Sequence, residues 1–391
     1  MNKLLWVLEK QFDISLDTAT KLEMFSNLQA RYDLRLLTGY RYRKIEPDIV
    51  RGKIQYYESV KIPVINRLTS YLYQIHSFSL AIKSFRPDVV IFTVSNPMLL
   101  RHAMLFKKKF GTKLIVDVRT LPVSGDEIYR YISDKLFSLN LRYAARSLDG
   151  VTYITEEMRR FCISNYNLPP HSSAIWETGV NPDFFYPKSG MNKDGPLKFL
   201  YHGSINKKRG IDNVIRALSL LNDIDVTLHL LGYGDALNEL SNLAIELELK
   251  DRVTFQNPID YCEVPNWINR GHVGILPFPN WPGWNTSSPI KLFEYLSCGK
   301  PVVVTNIPAH RNVLHNEEFV FWAEESTPEA LAKAMLRASE KKHQFEMIGK
   351  AARNHVLGNY TWECQTNKLG GFLEQVLKRN DKYLQDPSIL R

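Results

Sequence analysis

Short apolar runs alternate with amphipathic stretches along nearly the whole chain, the pattern of βα units stacked on parallel sheets. Two such series are present. In the first, strands are predicted at 3–8 (KLLWVL), 33–38, 89–94, 113–118 (KLIVDV) and 151–154, separated by helices at 17–31, 65–85, 97–109, 128–147 and 156–166. The second opens at 197–203 (LKFLYHG) and continues through 226–232, 253–255, 273–278, 301–305 (PVVVT) and 318–322. Between the series, residues 179–196 are dense in Gly, Pro, Asn, Asp and Lys, as linkers are. After the last strand the pattern turns helical, at 327–342 and 362–380. The expectation is an α/β chain with a Rossmann-like domain over 1–180, a linker at 181–196 and a second Rossmann-like domain over 197–361. Residues 362–391 would supply a helix crossing back to the first domain, and a tail. Two such domains with parallel sheets would face a central cleft at the carboxyl ends of their strands, where open α/β sheets bind ligands.

Composition narrows the class. With 44% hydrophobic and 23% charged residues over 391 positions, disorder, collagen and coiled coils are excluded. No uncharged apolar run approaches the ~18–20 residues of a membrane span, and Glu9 and Lys10 interrupt the start too early for a signal peptide, so a cytoplasmic protein is expected. Cys162, Cys262, Cys298 and Cys364 form no CxxC pair and have no His at zinc spacing, and read as reduced core thiols. No metal site is expected, because the one Asp-x-Asp, Asp223-Ile224-Asp225, reads as a turn before a core strand.

The net charge of +9 lies wholly in the first half: residues 1–190 hold 27 Lys+Arg against 18 Asp+Glu, and residues 191–391 hold 23 of each. The N-terminal domain should therefore face something anionic. No nucleic-acid motif accompanies the charge, which leaves a membrane surface or a phosphate-bearing ligand. Residues 39–75 carry 7 basic and 3 acidic side chains interleaved with Tyr40, Tyr42, Tyr56, Tyr57, Tyr71 and Tyr73. Cations among interfacial aromatics predict salt-sensitive, peripheral association with an anionic bilayer at the inner face of the cell membrane. The competing reading is a core helix marked by Leu68, Leu72, Ile75 and Ile82 with a solvated basic face.

Four segments carry candidate chemistry. In SSPIKLFEYLSCGKPVVVTN (287–306), Ser287 or Ser288 can cap a helix, Pro289 suits its first turn, and Gly299 suits its C′ position before a buried strand. Glu294 then sits mid-helix among apolar neighbours, where a carboxylate needs either ligand hydroxyls or an ion pair with Lys291, three residues before it. In YHGSINKKRGIDNVIRALSLL (201–221), Lys207, Lys208 and Arg209 crowd the start of an amphipathic helix, where the helix dipole disfavours cations unless an anion binds. Arg209, against Gly210, is the better phosphate candidate; Lys207 and Lys208 read as a solvated loop. A strand ends in Gly232 and Gly234, a loop able to bring backbone N–H groups to a ligand. Asp117 and Arg119 stand at the carboxyl end of another strand, either functional or bracing their loop.

In this order and spacing the segments resemble the nucleotide-sugar-dependent glycosyltransferases of the GT-B fold, specifically the retaining family 4 (group 1) type, closely over 197–378 and more loosely before. The resemblance implies that Gly203, Ser204 and Arg209 lie at the donor diphosphate, that Glu294 holds the ribose, and that Gly232 and Gly234 form the family's GxG loop. It also implies that Phe255 to Ile259, with Pro258, line the base and that 176–187 cross between domains. The donor would be a nucleoside diphosphate sugar, with uridine preferred as base, used without metal or other cofactor. The acceptor would be a lipid-linked or polysaccharide-type glycan.

Four family features differ. The Arg that follows the glycine is Ser204, so Arg119 or Lys291 would have to supply the second diphosphate cation. Thr286 stands eight residues before Glu294, where the family has its first Glu, with Ser287 and Ser288 beside it. Asp117-Val118-Arg119 replaces the N-domain His, and EKQFDISLDT (9–18) replaces a Gly-rich loop. Two rival readings follow: an epimerase or hydrolase of nucleotide sugars on the same plan, and a non-catalytic sugar-nucleotide-binding protein.

Overall fold

A computed structural model describes residues 1–8, 16–40, 48–58, 66–93, 97–121, 127–145, 148–166, 168, 172–188 and 195–379. The chain divides into two units, 1–177 with 365–391, and 178–364. Most of the 9–18 segment and Tyr42 lie outside the described residues.

The first unit contains β1 (Lys3–Val7), α1 (Leu16–Leu28), β2 (Asp33–Tyr40), β3 (Ile54–Glu58), α2 (Asn66–Phe85), β4 (Val89–Thr93), α3 (Pro97–Phe110), β5 (Lys113–Val118), α4 (Glu127–Ala145), β6 (Gly150–Tyr153), α5 (Glu156–Tyr166) and β7 (Ser173–Ile175). Its sheet runs β3-β2-β1-β4-β5-β6-β7 with every pair parallel. The hydrophobic pattern anticipates all of these except β3 and β7. Those two are the edge strands and only partly buried, so they carry little apolar signal. β1, β4 and β5 are almost wholly buried, which is why they read as continuous apolar runs.

The second unit contains β8 (Leu197–His202), α6 (Ile211–Ser219), β9 (Val226–Leu231), α7 (Leu237–Glu246), β10 (Val253–Gln256), α8 (Val264–Asn269), β11 (Val273–Leu276), the single turn α9 (Pro282–Asn285), α10 (Ile290–Ser297), β12 (Val302–Thr305), α11 (Pro308–Leu314), β13 (Val320–Ala323), α12 (Pro328–Glu340) and α13 (Phe345–Asn359). Its parallel sheet runs β10-β9-β8-β11-β12-β13. Thr327 caps α12 by accepting from Ala330 N at 3.3 Å, and Pro328 occupies the first helical position. The last helix, α14 (Trp362–Lys378), begins in the second unit, and from residue 365 it belongs to the first, where Tyr32 OH donates to Gly370 O at 3.3 Å.

In both sheets the strand order reverses beside the first strand of the unit, and ligands of such sheets bind at the carboxyl ends there. In the second unit that point lies between β8 and β11. One glycine shapes it: a Cβ on Gly274, in β11, would stand 2.3 Å from the Tyr295 ring, so only hydrogen lets that ring lie flat on the strand. The cysteine expectation needs correction. Cys162 and Cys298 are buried and free, but Cys262 is exposed and Cys364 only half-buried, because their helical neighbours Tyr261, Val264 and Gln365 turn inward instead.

Candidate functional site

The loop after β8 builds one wall of the switch-point crevice. Gly203, at φ +103°, lets the chain turn sharply, and the loops after β8 and β9 are then stitched together by Gly203 N→Leu231 O, Ile205 N→Tyr233 O and Ala236 N→Ile205 O, at 2.8, 2.8 and 3.1 Å. Gly232 makes this possible: at φ +147°, a Cβ there would lie 1.9 Å from Gly203 O. Gly234 packs in the same way, with its Cβ position 2.1 Å from Ile205 O. The two glycines of the GxG loop therefore permit close loop-on-loop contact.

Lys207 and Lys208 are surface groups, as the solvated-loop reading has it. Lys207 pairs with Glu239 at 2.7 Å, and Lys208 lies 5.1 Å from the Trp281 ring. Arg209 differs from both. Its guanidinium lies 4.3 Å over Trp284 and 5.2 Å from Phe278, and its buried Nε has no hydrogen-bond partner. Lys291 comes from the first turn of α10 to the same place. Only 7% exposed, its Nζ lies 3.2 Å from the Cβ position of Gly203, 3.3 Å from Tyr201 OH and 5.8 Å from the Phe278 ring. Both cations thus lie within 6 Å of one aromatic ring, and among the described residues neither forms an ion pair with a carboxylate. Burial, reinforced by Arg209, pushes the Lys291 ammonium well below its usual pKa, and Glu294 offsets part of this. An anion of two or more charges would satisfy both groups.

Glu294 is fully buried, and both its oxygens are engaged. Oε1 accepts from Tyr261 OH at 3.0 Å, and Oε2 lies 2.7 Å from His202 Nε2. The ion pair with Lys291 weighed from the sequence is not formed. The tautomer of His202 follows from the network. Tyr295 OH accepts from the His202 backbone N–H at 3.0 Å, which leaves its own proton for Nδ1 at 2.9 Å, so Nε2 carries the imidazole proton and donates it to Glu294. The carboxylate is therefore fixed in orientation by two donors, and each oxygen keeps a further lone pair.

Ser287 and Ser288 do not cap α10, whose N-cap is Pro289 with no side-chain cap bond. Ser287 Oγ instead donates to Trp284 O at 2.7 Å, while Ser288 Oγ accepts from Thr178 N at 3.3 Å and Ser288 O from Thr178 Oγ1 at 2.9 Å. Thr286 Oγ1 donates to Pro282 O at 3.0 Å, closing the α9 turn. Gly299, at φ +67°, takes the left-handed C′ position as expected. Ser204 accepts from Tyr201 OH through its carbonyl at 2.8 Å, and Pro258 is exposed beyond β10. His202, Tyr261, Tyr295 and Trp284 were missed in the sequence. Two of them adjoin residues that were singled out, His202 before Gly203 and Tyr295 after Glu294.

In the first unit, Asp117 is 1% exposed at the carboxyl end of β5. Its Oδ1 accepts from Thr152 Oγ1 at 2.8 Å and Trp176 Nε1 at 3.0 Å, and its Oδ2 has no partner. Burial raises the Asp117 pKa against the pull of Arg119, Thr152 and Trp176. Arg119 lies 4.2 Å over the Trp176 ring and donates to the carbonyls of Trp176 and Glu177 at 3.3 and 3.4 Å. The pair braces the strand ends through Trp176. Lys291 stands beside Gly203 in the second unit, and Arg119 belongs to the first.

Residues 184–355 match the family description "Glycosyl transferases group 1" and residues 22–184 match "Glycosyltransferase Family 4". The D-inositol 3-phosphate glycosyltransferase of Thermomonospora curvata is 24% identical over 247 residues, covering 56% of this chain and 56% of that protein. The UDP-Gal:alpha-D-GlcNAc-diphosphoundecaprenol alpha-1,3-galactosyltransferase of Escherichia coli is 22% identical over 244 residues, 58% of this chain and 60% of that one. The chain spans little more than half the length of these curated relatives. Solved structures match nearly throughout. Sucrose-phosphate synthase from Thermosynechococcus elongatus superposes with a TM-score of 0.79 at 15% identity, covering 96% of this chain and 99% of its own. Anabaena HepE in complex with UDP gives 0.73 at 12% identity, covering 95% and 100%. The architecture is that of the GT-B glycosyltransferases, two Rossmann-like domains each built on a parallel sheet. Within that class the chain belongs to the group 1, family 4 glycosyltransferases.

Proposed function

We propose that this protein transfers a sugar from a UDP-sugar to a hydroxyl of a lipid-linked or surface-polysaccharide-type glycan, with retention of anomeric configuration and without metal. It would work as a peripheral protein at the inner face of the cell membrane. The observation that carries the reading is a pair of cations with no carboxylate ion pair among the described residues, Lys291 and Arg209, both near Phe278 just beyond the carboxyl end of β11. A donor diphosphate placed there satisfies both, and Glu294, oriented by His202 and Tyr261, keeps lone pairs for ribose hydroxyls. Uridine is favoured as the base because HepE binds UDP and the E. coli relative is named for UDP-Gal. That relative's diphosphoundecaprenol acceptor supports a lipid-linked one here.

In the reaction the bond from the anomeric carbon to the diphosphate oxygen breaks as the acceptor oxygen bonds to that carbon from the same face. The departing diphosphate takes the acceptor proton. Charge grows on its oxygens, and Lys291 and Arg209 meet that charge without reorganisation; removing one such contact costs on the order of 10²–10³ in rate. Asp117 and Arg119, in the first unit, would hold the transferred sugar or the acceptor. The test is turnover of a UDP-sugar panel with isoprenyl-diphosphate glycans, with anomeric configuration read by NMR. Arg209→Ala should lower kcat by about two to three orders of magnitude while the fold is kept. Wild-type turnover by Arg209→Ala would refute the assignment, and UDP release without an acceptor product would favour a hydrolase or epimerase.

A further inference from the structure

Only part of the tyrosine-rich stretch 39–75 lies within the described residues. Tyr57 is 5% exposed, its ring packed under Gly39, and residues 41–47 and 59–65 lie outside the described set. A larger basic surplus lies in three neighbouring helices. α2, α3 and α4 pack side by side, α2 on α3 and α3 on α4. Together they hold 9 Lys+Arg against 2 Asp+Glu, a surplus of 7 within a chain whose whole net charge is +9. Of the two acids, the Asp134 carboxylate accepts from Tyr166 OH.

The outer face of this layer is also apolar. Leu80 on α2, Leu105 on α3, and Leu136 and Leu139 on α4 are 51%, 64%, 55% and 60% exposed. Tyr131 and Tyr143 stand beside them on α4, with Lys135 and Arg101 lying 5.4 and 4.5 Å over their rings. Lys83, Lys108 and Lys109 are exposed at the carboxyl ends of α2 and α3, and among the described residues none of the three forms an ion pair. Leucines scattered singly on a surface need no explanation, but four on one helical layer, ringed by cations and nearly without acids, do.

We propose that this α2–α3–α4 face docks on an anionic lipid bilayer, the leucines entering the acyl boundary while the lysines and arginines lie among the headgroups. Charge complementarity and the interleaving of Leu and Tyr with unpaired cations favour a lipid surface over an acidic protein, whose contact would place carboxylates opposite isolated leucines. The inference rests on the membrane-borne acceptor proposed above, and it names the surface that would meet the membrane. Each basic residue near an anionic surface is worth about fivefold in partitioning, equivalent to ~1 kcal/mol.

The test uses the full chain and co-sedimentation with phosphatidylcholine vesicles, with and without phosphatidylglycerol, at low and high salt. Binding is expected to anionic vesicles only, and to fall with salt. The triple variant Lys108→Glu, Lys109→Glu, Lys135→Glu should lose about a hundredfold or more in partitioning. Leu105→Ser with Leu139→Ser should weaken binding and make what remains more salt-sensitive. Lys333→Glu with Lys350→Glu, exposed on the second unit, should bind as wild type. No binding by wild type, or unchanged binding by the triple variant, overturns the proposal, as does a dimer in size-exclusion chromatography that the leucine substitutions dissolve. Transfer to a water-soluble acceptor, measured on the same samples, separates the outcomes: if it persists without vesicle binding, the membrane face fails and the glycosyl-transfer reading stands.

Discussion

Replacing Lys291 by Met separates what the fold prefers from what the site requires. The ammonium is buried beside Gly203, with Tyr201 OH at 3.3 Å, the Tyr201 ring at 4.4 Å and a second cation, Arg209, near enough to depress its pKa. Glu294 relieves part of the cost, but it keeps His202 and Tyr261 when Lys291 is gone. Replacing an undercompensated buried charge by an apolar side chain of similar volume stabilises by about 1–4 kcal/mol in favourable cases. At roughly 2–4 °C per kcal/mol for a unit of this size, Lys291→Met should raise the Tm of the ligand-free protein by about 2 °C or more. UDP affinity should fall about 10- to 100-fold, the worth of a hydrogen bond to a charged group, so the stabilisation by UDP seen in wild type should shrink. The pH dependence has a definite sign. Free Lys291 has a lowered pKa and the bound diphosphate raises it, so above the free-state value binding takes up a proton and wild-type affinity falls as pH rises. Calorimetry in buffers of different ionisation enthalpy should show that uptake in wild type and none in Lys291→Met. A ligand-free variant that melts below wild type, or binds UDP as wild type does, would refute the reasoning.

Glu294→Gln keeps an acceptor for His202 but loses the carboxylate, and should weaken UDP about 10- to 100-fold. Its calorimetric preference for UDP over 2′-deoxy-UDP should shrink, and an unchanged preference would remove Glu294 from the ribose. Asp117→Asn tests the first unit. Burial raises the folded-state pKa of Asp117, so its ionised form costs stability above the unfolded carboxylate pKa, and the cost vanishes as pH falls below it. Thermal melts of Asp117→Asn should therefore exceed wild type by about 1–3 kcal/mol near neutrality, on the scale of one unsatisfied buried polar group, with the gap closing in acid. A fall in kcat in the same variant would show that Asp117 touches the transferred sugar or acceptor; unchanged kcat would leave it a brace for Trp176.

The central strands were legible because burial on both faces writes them as unbroken apolar runs, and α6 was legible because its buried face recurs at helical spacing. The edge strands β3 and β7 were not, since partly buried strands lack that signal. At the site, Arg209 stood out because a basic residue before a helix is electrostatically unfavourable on its own. The partners of Glu294 were hidden for a different reason: His202 and Tyr261 lie 92 and 33 residues from it in sequence, and only the sheet order brings β8 and the turn after β10 to α10. The serines before α10 misled because N-cap chemistry is local, whereas Ser288 is held by Thr178, 110 residues away. The charge asymmetry was visible as a sum over the first half, but its collection on one helical layer depends on which side chains face outward.

The stitched loops after β8 and β9 limit how this protein can diversify. Gly203, Ile205 and Ala236 share backbone hydrogen bonds with the neighbouring loop, and Gly232 leaves no room for even a methyl group. An insertion or a bulkier residue in either loop would lift the Gly203 turn away from Lys291. Descendants of this sequence that came to accept a different donor would therefore have to leave that pair of loops alone. Residues 257–259, beyond β10 and outside the stitching, carry no such constraint, and they offer a library for altered nucleotide choice a place to vary without dismantling the anion site.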